Sequence, residues 1–470
     1  MRNRHLWLGA ALAVCVGSAT AYAKDLGDIL LKKGLITEEE LRQAKEEEKQ
    51  KSAADESRRD AIMAKLPKWL DVITPFGDVR LRYEGFFQTH RVAENRFRLR
   101  ARVGLNANVS DEISGTVRLA TGDPNNPVTR NQTFNNTDTQ KAINLDQAYL
   151  TFKPGKTFGI EPGWITMTGG KFSANAYRVS ELVWDDDLTP EGFTQSLNLI
   201  EEKHGFLRGL KVNTFQWIVN EVASGADPWM GGGQIVSETA LDNTANLTLA
   251  FADYHYSNLN SVAKKFLSPN GSNFNKQLAT TNCLQVVRNS SGSVTSINGF
   301  CSEFNIANGS MDLDFPDIFG IPAGSFGDVA YNTEASTKNL GFYVGAGVGK
   351  TGKDYYHDTL KNQGDWGISY TFVWVERDAA LALFNYDDIS YSQGQSPFPN
   401  TQTGSTATGG TNVTGHIIKF DYMPITNLQL TWKTHFINAL DEHLSPSHSI
   451  EKFQGNPTLV RTQVDAMLKF

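Results

Sequence analysis

The residues best placed to do chemistry are four arginines at alternate positions, Arg96, Arg98, Arg100 and Arg102. Apolar residues occupy the positions between them, so ENRFRLRARVGLNANV (94–109) repeats with a period of two. A β-strand points successive side chains to opposite faces. One face of this strand therefore carries guanidinium groups and the other carries hydrocarbon. Fixed cations of this kind suit selection of ions and dipolar solutes.

Neighbouring segments extend the charged face. Arg80 and Arg82 alternate in FGDVRLRYEGFFQ, and Arg118 lies in GTVRLAT, so we expect seven arginines on one wall. Opposite charge must lie within reach of such a wall. The segment SELVWDDDLTPEG (180–192) interrupts the strand pattern and is too apolar at 182–184 for an exposed loop. We therefore predict that it folds inward and presents its acidic residues, which are Glu181, Asp185, Asp186, Asp187 and Glu191.

Arginines facing an acidic loop predict a transverse electric field that orients dipolar solutes and sets ion preference. A second interpretation stays open, in which individual arginines pair with Asp78, Glu84 or Asp146 as structural bridges. Distant surface charges are screened beyond about 8–10 Å at physiological salt, so the local arginines should dominate. The sequence therefore predicts a mild anion preference at the constriction.

The elements that must position these residues begin after an export signal. Residues 1–23 have a charged start, an apolar stretch and an Ala21-Tyr22-Ala23 cleavage site, which indicates a signal peptide; Cys15 leaves a lipoprotein signal as an alternative. Residues 24–69 predict a short α-helical, coiled-coil-like periplasmic segment, with Thr37 and Glu40 as a capping box. That segment is either a tether or oligomerisation helix, or a solvated charged spacer.

Residues 70–470 predict an all-β transmembrane barrel. We find sixteen alternating segments, with an uncertainty of about two (14–18), and long polar loops that alternate with short turns. No apolar run of 18 residues follows the signal, while aromatic residues make up 11% of the chain and glycines number 41. An even strand count places both chain ends on the short-turn, periplasmic rim. The final strand ends on Phe470, which is similar to the signal that barrel assembly machinery recognises.

The blocks GKF…ELVWDDDLTPEG, GDWGISYTFVWVERDAALALFNYDD and GGTNVTGHIIKFDYMPITNLQLTWKTHF resemble a family of bacterial putative porins over roughly residues 70–470. The resemblance implies an outer-membrane channel for small hydrophilic solutes or ions, surrounded by membrane lipid, often a homotrimer and often preceded by periplasmic helices. It names no solute. In ERDAALALFNYDD we expect a short helix at the outer rim, with Glu376, Arg377 and Asp378 near the pore mouth.

Other functions are disfavoured. The scattered histidines lack a neighbouring serine motif, so we predict no enzyme, and no metal or cofactor motif is present. Removing Arg2 and Arg4 with the signal takes the net charge from −7 to −9, which argues against nucleic acid as a partner.

Cys283 and Cys301 predict a disulfide within the 259–303 insert, with two free thiols as the alternative. The main alternative function is a structural anchor that links the outer membrane to the cell wall or to a periplasmic partner through the helices.

Overall fold

The computed structural model describes residues 71–470, except 90–91, 136, 202–204, 223–224, 242–243, 268–279, 292–293, 350–359, 392–408 and 442–456. Of the first 70 residues it describes only 37, 39, 42, 43 and 46. The predicted signal peptide and the predicted helical segment therefore lie outside the described residues, apart from these five positions. Within the described part of the chain, no helix is both long and apolar enough to span a bilayer.

Strands account for most of the described chain. In chain order they are β1 (Ile73–Phe87), β2 (Glu94–Asn108), β3 (Ile113–Thr121), β4 (Gln132–Thr133), β5 (Ile143–Phe152), β6 (Ile165–Lys171), β7 (Glu191–Glu201), β8 (Leu207–Ile218), β9 (Trp229–Leu241), β10 (Ala245–Ser257), β11 (Leu284–Arg288), β12 (Val294–Phe300), β13 (Asn305–Ile318), β14 (Ile321–Asn332), β15 (Leu340–Gly349), β16 (Trp366–Val375), β17 (Val413–Ile425), β18 (Leu428–Ala439) and β19 (Leu459–Lys469).

Sixteen of these strands form a closed antiparallel barrel. Each long strand pairs with the next long strand along the chain, and β1 closes the sheet by pairing with β19, from Asp78 opposite Lys469 to Phe87 opposite Val460. The two-residue β4 adds to β2, and β11 pairs only with β12 in a separate hairpin. All sixteen predicted segments coincide with barrel strands, so the prediction of an antiparallel barrel of about 16 strands is confirmed.

The two faces of the barrel wall differ as the period of two predicts. Leu81 and Phe97 point outward and keep 54% and 58% of their surface exposed. Their neighbours Arg82 and Arg98 point inward and are only 5% and 6% exposed. Hydrocarbon on the outside and charge on the inside is the arrangement of a membrane barrel, whose outer face contacts lipid.

The connections between strands are unequal. Short turns such as 109–112, 319–320 and 426–427 lie at one rim, whereas the connections 122–142, 172–190, 258–304, 376–412 and 440–458 leave the other. The 258–304 connection holds a short helix, α1 (Leu259–Val262), a π-helical turn (Ala263–Leu267) and the β11–β12 hairpin. Cys283 and Cys301 flank this hairpin and are joined by a disulfide. The sequence predicted a long loop insert here and gave no indication of the hairpin.

Candidate constriction inside the barrel

One connection, which we call the acidic segment (172–190), leaves the wall after β6 and returns at β7. Two glycines shape its ends: Gly170 and Gly192 lie opposite each other, with φ values of 126° and 143°. A Cβ at Gly192 would lie 2.2 Å from the Gln216 carbonyl oxygen, and one at Gly170 would lie 2.4 Å from that of Ala148. Only glycine fits this backbone and this close approach.

The acidic segment is anchored by its apolar residues. Trp184 is buried, and its ring centroid lies 4.9 Å from that of Trp217 on β8 and 5.1 Å from that of Tyr254 on β10. Ser180 donates a hydrogen bond of 2.5 Å to Asp328 on β14. Contacts with strands so far apart place the segment across the lumen. The apolar run that is unsuitable for an exposed loop thus packs inside the barrel.

A second connection, which we call the inner segment (376–391), also folds into the lumen. The expected helix at the outer rim is absent: the only helical turn there is a 3-10 helix, Asp387–Ile389. Ala379 to Leu383 are almost fully buried. The inner segment binds the acidic segment through backbone hydrogen bonds, from the Asp185 N–H to the Phe384 carbonyl (2.8 Å) and from the Tyr386 N–H to the Glu181 carbonyl (3.1 Å). Burial and these bonds outweigh the local tendency of AALAL to form a helix.

The predicted arginines line the lumen side of β1, β2 and β3, and six of the seven lie within 4 Å of a carboxylate. Asp78 binds Arg100 (3.0 Å) and Arg102 (2.6 Å), and Asp146 binds Arg118 (2.6 Å). Further ion pairs join Arg82 to Asp465 and Asp388, and join Arg96, Arg98 and Arg461 to Glu84. The structural bridges that the sequence left open are therefore present.

The acidic residues are divided among different partners. Asp187 lies 3.5 Å from Arg100 and 3.6 Å from Arg102, so it faces the arginine wall. Asp186 instead pairs with Arg178 of its own segment at 2.6 Å. Glu191, expected opposite the arginines, begins β7, where its side chain is 65% exposed and pairs with Lys171 at 3.1 Å. The strand that starts at residue 191 carries it away from the lumen charges.

The two segments and the wall enclose a polar cavity of about 280 Å³, which we call the central cavity. The acidic and inner segments form one side of it, and β1, β2, β17, β18 and β19 form the other. The charged lining residues are Arg80, Arg82, Arg100, Arg102, Arg178, Glu181, Asp185, Asp186, Asp187, Asp387, Asp388, Lys419, Lys433 and Asp465. Arg96, Arg98, Arg118 and Glu191 lie outside this lining.

Several of these residues escaped sequence reasoning as site residues. Asp465 belongs to the alternating polar face of the final strand, and Lys419 and Lys433 alternate with apolar residues in β17 and β18. The same period that identified the arginine wall could have identified them. Asp387 and Asp388 carried no such signal, because their position depends on the fold of the inner segment.

The loop carboxyl groups titrate differently. Burial alone would raise the pKa of Asp187, but Arg100 and Arg102 outweigh it and hold the pKa at about 2. Burial and the neighbouring carboxylates raise the pKa of both Glu181 and Asp185 well above the usual range. Burial and Asp388 raise the pKa of Asp387 to about 7. Near neutral pH, Asp187 is therefore ionised, whereas Glu181 and Asp185 give up their protons at higher pH than exposed carboxyl groups do.

A family described as putative porin matches residues 87–454. No curated protein matched the chain. A solved structure of OmpT of Vibrio cholerae in its trimer form is 10% identical; the match covers 85% of this chain and 100% of that one, with a TM-score of 0.42. OmpF of Salmonella typhi in complex with daunomycin is also 10% identical; the match covers 85% of this chain and 97% of that one, with a TM-score of 0.44. OprB of Pseudomonas putida is likewise 10% identical; the match covers 86% of this chain and 96% of that one, with a TM-score of 0.47.

Proposed function

We propose that this chain, which belongs to the putative porin family, forms a water-filled channel through the outer membrane for passive diffusion of small hydrophilic solutes or ions. The family is one of channel proteins rather than enzymes. The observation that carries the proposal is the central cavity, where an arginine wall on β1 and β2 meets the acidic and inner segments. Charges fixed on opposite sides of a passage act on every solute that crosses it.

The same lining supports a mild anion preference. Seven cationic and seven carboxyl side chains line the central cavity among the described residues. Burial and neighbouring carboxylates raise the pKa of Glu181 and Asp185, so these two groups ionise less readily than exposed carboxyl groups and the balance of charge shifts toward the cations. We therefore propose that the arginine wall, assisted by Lys419 and Lys433, sets the ion selectivity.

Four further predictions belong to this proposal. They are the signal peptide (1–23), the periplasmic helical segment (24–69), a homotrimer and barrel assembly through Phe470. The experiment must distinguish this channel from the alternative function, a structural anchor of the cell envelope. An anchor has no need of a polar cavity framed by opposite charges, whereas a channel does.

Liposome swelling tests the proposal. The full chain is reconstituted into vesicles and diluted into iso-osmotic solutions of an uncharged pentose or a large uncharged polysaccharide. A channel predicts swelling in the pentose and none in the polysaccharide. Protein that migrates as a folded barrel on a gel but causes no swelling would support the anchor.

A further inference from the structure

Most charges that line the central cavity neutralise one another, but four do not. Among the described residues, Arg80, Lys433, Glu181 and Asp185 have no oppositely charged side chain within 4 Å. Two are cations on the barrel wall, and two are carboxyl groups on the acidic segment. The cavity therefore offers unpaired groups of both signs.

Within the described part of the chain, the two cations donate hydrogen bonds only to uncharged groups. Arg80 donates a hydrogen bond from Nη2 to Asn131 Oδ1 at 2.9 Å, while its buried Nε has no partner among the described residues. Lys433 donates to the Tyr386 hydroxyl at 3.2 Å, and its Nζ lies 5.5 Å from the centre of that ring. Both side chains retain donors that a carboxylate could accept.

Among the residues that the structure describes, the two carboxyl groups accept hydrogen bonds only from backbone N–H groups. Glu181 accepts from the Asp186 N–H at 2.9 Å, and Asp185 accepts from the Asp187 N–H at 2.7 Å. Their exposed fractions are 5% and 4%. Burying a carboxyl group without a cationic partner is costly, and a bound ammonium would supply that partner.

We propose that the central cavity is a binding site for zwitterionic solutes of the amino-acid or short-peptide class, with the carboxylate held by Arg80 or Lys433 and the ammonium held by Glu181 and Asp185. This inference rests on the proposed channel function, because the solute reaches the cavity through the lumen. Small-molecule sites span roughly 300–1,000 Å³. The cavity of about 280 Å³ lies just below this range, so it suits a small solute.

A solute with one charge satisfies only half of the site. An anion leaves the carboxyl groups unpaired, and a cation leaves Arg80 and Lys433 unpaired. A charge-assisted hydrogen bond contributes roughly 1.5–3 kcal/mol, so removing either pole should weaken binding by on the order of 10-fold or more.

The carboxyl groups also give binding a characteristic pH dependence. Burial first, and then neighbouring carboxylates, raise the pKa of Glu181 and Asp185, so the empty cavity favours their protonated forms. An ammonium favours their ionised forms, so zwitterion binding releases protons and strengthens as pH rises from 5 to 7, a range in which the α-amino group of the solute itself stays protonated. Anion binding weakens over the same range. The charged groups that face these two carboxyls are Arg178, Asp186, Asp187, Asp387 and Lys433.

The test measures block of the ion current through the reconstituted full chain by three matched solutes. They are glycylglycine, N-acetylglycine, which lacks the ammonium, and glycine N-methylamide, which lacks the carboxylate. The proposal predicts that glycylglycine blocks at a concentration at least about 10-fold lower than either control, and more strongly at pH 7 than at pH 5. Equal block by all three solutes, or block that weakens with rising pH, would overturn it.

Variants of the cavity test which residues bind the ammonium of the solute and which bind its carboxylate. Glu181→Gln should weaken block by glycylglycine and leave block by N-acetylglycine unchanged, whereas Lys433→Met or Arg80→Met should weaken both. Lys211→Met is the control, because Lys211 lines a different cavity. Conductance without selective block by glycylglycine refutes the zwitterion site and keeps the channel. Absence of conductance from folded wild-type protein refutes the channel itself.

Discussion

Replacing Glu84 with glutamine should weaken the seam where β1 meets β19. Glu84 is fully buried, and Glu84 Oε1 accepts hydrogen bonds from Arg461 Nε at 2.9 Å and from Gln463 Nε2 at 2.8 Å, both on β19. Glu84 also pairs with Arg96 and Arg98 on β2. One carboxylate therefore joins three adjacent strands at the point of closure.

The size of the effect follows from this burial. Removing one partner of a buried ion pair costs about 3–5 kcal/mol, because the other charge is left without compensation. Arg461 keeps Asp388 as a second partner, and glutamine keeps an acceptor oxygen. We therefore expect Glu84→Gln to lower the free energy of unfolding by about 3 kcal/mol, the lower end of this range, which lowers the ratio of folded to unfolded protein roughly 100-fold.

The assay is urea unfolding of the vesicle-reconstituted barrel, followed by tryptophan fluorescence and by the mobility difference between folded and unfolded protein on a gel. Glu94→Gln is the matched control, because Glu94 is an exposed residue at the start of β2. Equal unfolding midpoints for E84Q and the wild type would refute the view that buried charges stabilise the seam.

Three further outcomes are expected. Burial and Asp388 raise the pKa of Asp387 to about 7, so raising pH from 6 to 8 should ionise it and reduce the anion preference in reversal-potential measurements. An equally large change of reversal potential between pH 6 and 8 in Asp387→Asn would contradict this. Because Asp187 stays ionised down to about pH 2, Asp187→Asn should shift the reversal potential further toward the anion, and a cationward shift would contradict the assignment. Reducing the disulfide between Cys283 and Cys301 should speed proteolysis of the β11–β12 hairpin but leave the urea midpoint of barrel unfolding unchanged, because among the described residues the barrel strands hydrogen-bond to one another and not to the hairpin. A lower midpoint after reduction would show that the hairpin stabilises the barrel.

The fold was predictable from the sequence because barrel strands carry a local signal. Alternation from Arg96 to Arg102 fixes which side chains face the lumen, and short turns such as 319–320 and 426–427 join neighbouring strands. The inner segment carried no comparable signal. Its apolar run AALAL is compatible with a helix, and only burial against the acidic segment decides its conformation.

The constriction was predictable only in part. The acidic run from Asp185 to Asp187 identified the segment that crosses the lumen, but Glu191 belongs to the adjoining strand. The partners of the charges join distant parts of the chain: Arg82 contacts Asp388 306 positions away, and Arg461 contacts Glu84 377 positions away. No local pattern encodes such pairs, because barrel closure and the inward folding of two loops create them together.

The most direct test of the central claim is the reversal potential of single channels formed by the purified full chain in a planar bilayer under a potassium chloride gradient. The account predicts discrete conductance steps and a reversal potential shifted toward that of chloride, because the arginine wall outweighs the ionised carboxylates of the cavity. A reversal potential shifted toward that of potassium, or no conductance from folded protein, would contradict it.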